Sequence, residues 1–223
     1  MRHDNSSTPA SCRLYVIIDR AASGGRDVVD IASAAIRGGA DVLQFSDKTA
    51  SDSASLKDAE CLLSVTRRAG VPLIINDRVD VAHAVGADGV HLGQEDLPLA
   101  AARRILGFER LIGQSTHSLE QACTAAAEGA DYIGCGPIFP TPTKPDSGSV
   151  GTALIRPVIQ AVRIPVVCIG GIDAGNIAQV LEAGADCVAV VRAVSAAEDP
   201  EAAARALKHQ LEQSVHSSPR PSL

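Results

Sequence analysis

Two aspartates, Asp77 and Asp96, carry side chains suited to holding a divalent metal ion. Asp77 ends the apolar run PLIIND, and Asp96 lies shortly after the run GVHLG. Each run is typical of a buried strand, and carboxylates that follow neighbouring strands would lie roughly 5 Å apart. Such a pair shares a hard cation or pushes its pKa values apart, and Mg²⁺ commonly takes one or two carboxylates together with phosphate oxygens. Taken alone, Asp77 is better explained as a helix cap in NDRVD, but beside Asp96 we favour the metal site.

The proline-rich stretch GPIFPTPTKPD, residues 136–146, indicates a phosphate-binding loop. Its prolines limit the disorder of the free loop, so less entropy is lost when the loop closes on a ligand. Thr141 and Thr143 supply hydroxyl donors, and Lys144 supplies a point charge. A rigid surface loop would explain the prolines but not the pattern Thr-x-Thr-Lys.

A glycine pair, Gly170 and Gly171, ends the apolar run PVVCIGG. Glycine lets backbone N–H groups approach an anion closely, so this turn is a second candidate for phosphate binding. A tight turn without a ligand explains the glycines equally well.

These residues need a scaffold, and its repeating unit is marked by the phrase Gly-Ala-Asp, which recurs along the chain. Each copy follows an alanine-rich helical pattern and precedes a short apolar run, as expected for a helix that ends on glycine and turns into a strand. With the apolar runs between the copies, the sequence predicts eight strands, namely LYVIID, VLQFS, PLIIND, GVHLG, LIGQS, YIGCG, PVVCIGG and CVAVV. Continuous apolar strands indicate a parallel sheet that is buried on both faces.

Eight alternating β/α units in about 200 residues predict a single α/β domain, a (β/α)₈ TIM barrel. We expect a flexible N-terminus over residues 1–11, the barrel over residues 12–215 and a flexible tail over residues 216–223. A doubly wound open sheet usually has fewer strands and a Gly-rich fingerprint after the first strand, where this chain has DRAASGG. Since sites of such barrels lie at the C-terminal ends of the strands, the polar residues that end the runs should meet at one rim.

Composition excludes several other functions. Aromatic residues make up 2% of the chain and Trp is absent, so a stacking platform for nucleic acid is not expected, and the net charge of −6 argues against a general polyanion binder. The six cysteines form no C-x-x-C pair and mostly lie in apolar runs, which indicates free thiols in a reducing cytoplasm. No apolar run is long enough to predict a membrane span, and the polar start lacks the apolar segment of a secretory signal.

Four segments together resemble the thiamine phosphate synthase family: LIINDRVDVAHAVGADGVHLGQEDLP, IGQSTHS, GADYIGCGPIFPTPTKPD and VVCIGGIDAGN. The resemblance covers nearly the whole chain. It implies a transferase that joins 4-amino-2-methyl-5-hydroxymethylpyrimidine diphosphate to thiazole phosphate, or to its carboxylated form, and gives thiamine phosphate and pyrophosphate. It also implies Mg²⁺ as the cofactor, held at Asp77 and Asp96, and small phosphorylated molecules as the partners.

The resemblance further implies which residues bind the substrates. The residues matching the pyrimidine diphosphate site are Gln44, Phe45, Ser46, Asp47, Lys48, Asn76, Ser115 and Lys144. Those matching the thiazole phosphate site are Thr141, Pro142, Thr143, Gly171, Val191 and Arg192. Among these, Lys48, Lys144 and Ser115 are the implied catalytic residues, because the two lysines would neutralise the leaving diphosphate.

The sequence departs from the family pattern at the end of its second strand. Members usually have Gln-x-Arg-x-Lys there, whereas this chain has QFSDK, with Ser46 in place of the arginine. A charge-assisted hydrogen bond is worth about 1.5–3 kcal/mol. Either another cation takes the place of the missing arginine, with Arg192 the nearest candidate by strand adjacency, or diphosphate binding is weakened.

Two other functions compete with the synthase. Ser46 favours a thiazole tautomerase-like isomerase of the same superfamily, which needs no grip on diphosphate. That function is opposed by the retained residues of a Mg²⁺-diphosphate clamp, for which an isomerase has no use: Asp77, Asp96, Lys48 and Lys144. The third function is a non-catalytic binder of thiazole or thiamine phosphate. We expect the synthase, and the sequence leaves the oligomeric state open.

Overall fold

Eight parallel strands close into a barrel in the computed structural model of this chain, which describes residues 12–142 and 148–215. Each strand pairs with its neighbours in chain order, and the last pairs with the first. The predicted TIM barrel and its eight strands are therefore confirmed. The loose ends expected over residues 1–11 and 216–223 lie outside the described residues, as do Thr143 and Lys144.

The strands match the apolar runs of the sequence to within one or two residues. They are β1 (Leu14–Asp19), β2 (Val42–Ser46), β3 (Leu73–Asn76), β4 (Gly89–Leu92), β5 (Leu111–Thr116), β6 (Tyr132–Cys135), β7 (Val166–Ile169) and β8 (Cys187–Val190). The helices between and after them are α1 (Val28–Arg37), α2 (Asp52–Ala69), α3 (Val79–Val85), α4 (Leu99–Leu106), α5 (Leu119–Ala127), α6 (Ile155–Ala161), α7 (Ile177–Glu182), α8 (Arg192–Ser195) and α9 (Pro200–Val215). Short 3₁₀ helices cover Ala21–Ser23 and Thr152–Leu154.

Two hydrophobic cores hold the barrel together. The larger one lies between the strands and the surrounding helices and is made almost wholly of Ala, Val, Ile and Leu. The smaller one fills the barrel interior, where Tyr15 and Tyr132 pack among aliphatic residues and Cys12 and Cys187. The outer core is therefore aliphatic, and the two tyrosines bring polar atoms into the barrel interior.

The Gly-Ala-Asp phrases close the N-terminal end of the barrel. Their glycines all have positive φ, at Gly39, Gly86, Gly129 and Gly184, as the predicted helix ends require. The aspartates of the first three phrases each accept hydrogen bonds at the start of the preceding strand. Asp41 Oδ2 lies 2.8 Å from the amide nitrogens of both Arg13 and Leu14, and Asp88 and Asp131 repeat the contact at Leu73 and Ile112. These carboxylates fix strand pairs at the end opposite to the rim that carries the candidate site.

No described helix is long and apolar enough to cross a membrane.

Candidate active site

Asp77 follows β3 directly and adopts a left-handed backbone conformation with φ of 60°. Its amide donates to the carbonyl of His91 on β4, 2.8 Å away. Helix α3 begins two residues later with no side-chain cap, so the helix-cap explanation for Asp77 is wrong. A non-glycine residue in this region of φ is uncommon and is often found at functional sites.

The carboxylates of Asp77 and Asp96 lie together, as the strand order predicted. Burial first, and then hydrogen-bonding contact with Asp96, raise the pKa of Asp77. Lys48 opposes this shift, because its Nζ lies 3.2 Å from Asp77 Oδ2. Asp96 is held in place by the amide of Gly93, which donates to its Oδ2 at 2.7 Å. The result is a half-buried pair of acids with a cation beside it.

This donor set fits a hard divalent cation. Carboxylate oxygens are ligands that Mg²⁺ prefers, and one or two of them suffice when substrate phosphate and water complete the shell. Among the described residues, no group of three or more His, Cys, Asp or Glu side chains forms a complete metal site. The geometry therefore fits a cation shared between the protein and a phosphorylated substrate.

Phe45, Ser46 and Asp47, at the end of β2, all make structural contacts. Phe45 packs into the outer core, whereas Ser46 is buried with its Oγ donating to Asp19 Oδ2 at 3.0 Å. Burial works to raise the pKa of Asp47, but hydrogen bonds from the Thr49 and Ala50 amides and from Arg20 outweigh it and lower the pKa. Asp47 therefore stabilises the loop that carries Lys48.

The arginine beside Ser46 is Arg20 rather than Arg192. Strand β1 lies between β8 and β2 in the barrel, so the expectation that Arg192 is the nearest cation by strand adjacency is wrong. The amide of Arg20 donates to the carbonyl of Ser46 at 3.1 Å. Its guanidinium forms ion pairs with Asp47 and Asp58. No local sequence pattern pointed to Arg20, because its partners Asp47 and Asp58 lie after β2 and on α2.

Three residues that match the pyrimidine site, Gln44 on β2, Asn76 on β3 and Ser115 on β5, belong to one hydrogen-bonded chain. Gln44 Nε2 donates to Asn76 Oδ1 at 2.8 Å, and Ser115 Oγ lies 2.9 Å from His91 Nε2. The interior tyrosines connect these two ends. His91 is thus a bridging residue of the barrel interior.

The two glycines after β7 touch the proline-rich loop after β6. A Cβ atom on Gly170 would lie 2.4 Å from Pro137 Cα, and one on Gly171 would lie 2.6 Å from the Pro140 carbonyl oxygen. Phe139 N donates to Gly170 O at 2.9 Å. The loop is therefore seated on a glycine platform, which explains why glycine is required at both positions.

The other described residues of the predicted thiazole phosphate site follow β6 and β8, the strands on either side of β7. Thr141 is half-buried and Pro142 is exposed at the end of the described part of the loop. Val191 directly follows β8, and Arg192 is exposed at the first residue of α8. Thr143 and Lys144 belong to the same predicted site but lie outside the described residues.

Comparison with known proteins assigns the family. The family model described as thiamine monophosphate synthase matches residues 14–194. The chain belongs to the thiamine monophosphate synthase family. It is therefore an enzyme, a transferase of thiamine biosynthesis, as the resemblance implied.

Individual members of the family are close in sequence and structure. The chain is 53% identical over 197 residues to a thiamine-phosphate synthase of Chloroflexus aurantiacus, covering 88% of this chain and 91% of that protein. A thiamine-phosphate synthase of Roseiflexus castenholzii is 51% identical over 195 residues, covering 87% and 86%. The solved structure of thiamine phosphate pyrophosphorylase from Pyrococcus furiosus superposes with a TM-score of 0.86 at 39% identity, covering 93% of this chain and 98% of that one.

Proposed function

We propose that this synthase condenses 4-amino-2-methyl-5-hydroxymethylpyrimidine diphosphate with thiazole phosphate in a Mg²⁺-dependent reaction. The bond between the pyrimidine methylene carbon and the diphosphate oxygen breaks, and a bond from the thiazole nitrogen to that carbon forms. The products are thiamine phosphate and pyrophosphate. If the carboxylated thiazole is used, carbon dioxide leaves as well.

The acid pair beside Lys48 is the observation that carries this proposal. Asp77 and Asp96 would hold Mg²⁺, and burial together with the neighbouring Asp96 raises the pKa of Asp77, as expected for two carboxylates held close together. Bound Mg²⁺ would neutralise charge on the diphosphate and so make it a better leaving group. A tautomerase would have no use for such a clamp, which argues for the synthase over that alternative.

Different parts of the rim would stabilise the leaving diphosphate, orient the pyrimidine ring and anchor the thiazole phosphate. Lys48 contributes positive charge near the acid pair, where charge develops on the departing diphosphate. Gln44, Asn76 and Ser115 lie deeper and would orient the pyrimidine ring. The proline-rich loop and Gly171 would anchor the thiazole phosphate, which holds the nucleophilic nitrogen in line with the methylene carbon.

No general base is needed in this reaction, because the attacking thiazole nitrogen carries no proton to remove. The histidines of the rim are consistent with that chemistry. His117 Nδ1 donates to the carbonyl of Gly136 at 2.5 Å, and His91 bridges two hydroxyl groups. Both imidazole rings are therefore engaged in hydrogen bonds within the protein.

The test is to supply both substrates with Mg²⁺ and to measure pyrophosphate and thiamine phosphate together. We expect equimolar formation of the two products, lost with EDTA and in Asp77→Asn. Asp80→Asn is the matched control, since Asp80 is an exposed acid three residues away that pairs with Arg78, and it should retain activity. Full activity in Asp77→Asn would refute the metal assignment. Isomerisation of the thiazole without pyrophosphate release would instead support the tautomerase, which Ser46 favours.

A further inference from the structure

A continuous chain of hydrogen-bonded side chains crosses the barrel interior between two residues of the predicted pyrimidine site. We call it the buried relay, and its members in order are Asn76, Gln44, Tyr15, Tyr132, His91 and Ser115. The heavy-atom distances along it are 2.8, 2.7, 3.0, 3.2 and 2.9 Å. All are within or near the usual range for hydrogen bonds. Tyr15, Tyr132 and His91 have no role in the predicted site, although they connect its members.

With the side-chain amides of Gln44 and Asn76 oriented as they are in the structure, the hydrogen bonds of the buried relay run in one direction. Burial raises the pKa of both Tyr15 and Tyr132, so each keeps its single hydrogen. Gln44 Oε1 can only accept, so Tyr15 donates to it. Tyr15 must then accept from Tyr132, which in turn must accept from His91 Nδ1.

The order continues to both ends of the chain. A neutral imidazole that carries its hydrogen on Nδ1 accepts at Nε2, so Ser115 donates its hydroxyl hydrogen to His91. Ser115 Oγ therefore offers only lone pairs to a ligand. At the other end Gln44 Nε2 donates to Asn76 Oδ1, which leaves the amide nitrogen of Asn76 as a donor.

We propose that Tyr15, Tyr132 and His91 are positioning residues that give the substrate pocket one fixed donor, at Asn76, and one fixed acceptor, at Ser115. This inference rests on the proposed function and concerns how the pyrimidine is recognised. A 4-aminopyrimidine presents a ring nitrogen that accepts and an amino group that donates, which complements this pair. The 4-oxo analogue presents a ring N–H that donates and an oxygen that accepts, so both of its groups meet the wrong partner.

Two alternatives make different predictions. Buried polar groups need partners in any case, and a relay that served only to satisfy the interior would affect stability and leave ligand choice unchanged. For a neutral His91, the buried relay also has one other self-consistent proton order, in which both amides are turned and every donor becomes an acceptor. That reversed order would put the hydrogen of His91 on Nε2 and would favour the 4-oxo ring.

The first experiment reads the proton order without relying on catalysis. Nitrogen-15 NMR of the full-length protein distinguishes the two tautomers of a histidine, and the His91 signal is assigned by its loss in His91→Asn. We expect the hydrogen on Nδ1. A hydrogen on Nε2, or an equal mixture of tautomers, would overturn the proposal.

The second experiment compares calorimetric binding of the 4-amino and 4-oxo pyrimidine diphosphates in the presence of Mg²⁺. Wild type should prefer the amino compound by about 10²-fold or more, because a site built to hydrogen-bond a ligand rejects the mismatched analogue strongly. Tyr132→Phe should reduce that preference at least about 10-fold while leaving the affinity for Mg²⁺ and inorganic pyrophosphate unchanged. Tyr15→Phe breaks the chain at its other tyrosine and should give the same result if Tyr132→Phe fails to fold.

Thr116→Val is the matched control for these variants. Thr116 is a buried residue beside Ser115 whose hydroxyl donates to Gly134 O at 2.9 Å and lies outside the buried relay. Its substitution should destabilise the protein and keep the preference for the amino compound. An unchanged preference in both tyrosine variants, or a wild type that binds the two rings equally or binds neither, would overturn the proposal. A wild type that prefers the amino compound but forms no thiamine phosphate would refute the proposed function alone.

Discussion

The contact between Gly171 and the proline-rich loop leads to a prediction whose magnitude follows from the structure. Gly171 has φ of 64°, where an alanine costs about 1 kcal/mol more than glycine. A Cβ atom there would also meet the Pro140 carbonyl oxygen at 2.6 Å and Phe139 Cβ at 2.8 Å. Ordinary contact begins at about 3.5 Å. In Gly171→Ala the loop must therefore move by somewhat less than about 1 Å.

The displaced backbone of Phe139 and Pro140 leads directly into Thr141. The substitution should therefore impair the binding and positioning of thiazole phosphate. A misplacement of about 1 Å can reduce catalysis by about 10²-fold. We expect kcat/KM for thiazole phosphate to fall by about 10–100-fold in Gly171→Ala, with little change in KM for the pyrimidine diphosphate. The assay is steady-state kinetics with each substrate varied in turn, combined with thermal unfolding.

Gly70→Ala is the control for the cost of the backbone conformation. Gly70 has φ of 69° at the end of α2, and a Cβ atom there would meet nothing within 4 Å. Both variants should lose about 2–4 °C in Tm from the backbone cost alone, and Gly70→Ala should keep wild-type kinetics. If Gly171→Ala has the same kinetics as Gly70→Ala, the glycine platform does not position the loop and the reasoning is wrong.

Two further predictions concern the charged end of the rim. Burial and Asp96 raise the pKa of Asp77, so Mg²⁺ binding, measured by titration at a series of pH values, should weaken on acidification at a higher pH than for an ordinary carboxyl. Because Lys48 lowers that pKa, Lys48→Met should shift the loss of binding to a still higher pH. A shift to lower pH would contradict the assignment. Ser46→Arg should lower KM for the pyrimidine diphosphate by about 10-fold or more through a charge-assisted hydrogen bond, and loss of binding in this variant would show that the pocket is built around serine.

The sequence was sufficient to predict the barrel and the rim because both depend on local patterns. The apolar runs gave the strands, and the positive φ of glycines such as Gly39 and Gly129 followed from the Gly-Ala-Asp phrases. The meeting of Asp77 with Asp96 followed from the pairing of consecutive strands. These features need only the chain order and the geometry of parallel β/α units.

The buried relay and the position of Arg20 could not be predicted in this way. Tyr15 and Tyr132 are separated by 117 residues, and whether two interior side chains meet depends on the stagger of the strands and on side-chain rotamers, which no local pattern encodes. A weak signal was present, because the only two tyrosines of a chain with few aromatic residues both lie in apolar runs. Buried tyrosine hydroxyls need partners, and that requirement could have led from these residues to Gln44 and His91.

The serine at position 46 is best understood together with the acids around it. Ser46 donates to Asp19, whose other oxygen accepts from the amide of Ala22, so this carboxylate already holds the loop after β1. The guanidinium of Arg20, the arginine beside Ser46, is occupied by Asp47 and Asp58. Among the described residues that match the pyrimidine diphosphate site, the positive charge for a diphosphate would come from Lys48 and, under the proposed function, from Mg²⁺ at the acid pair. Diphosphate binding in this chain should consequently depend on Mg²⁺ more strongly than in a family member that has the arginine, and the two dependences can be compared directly in wild type and Ser46→Arg.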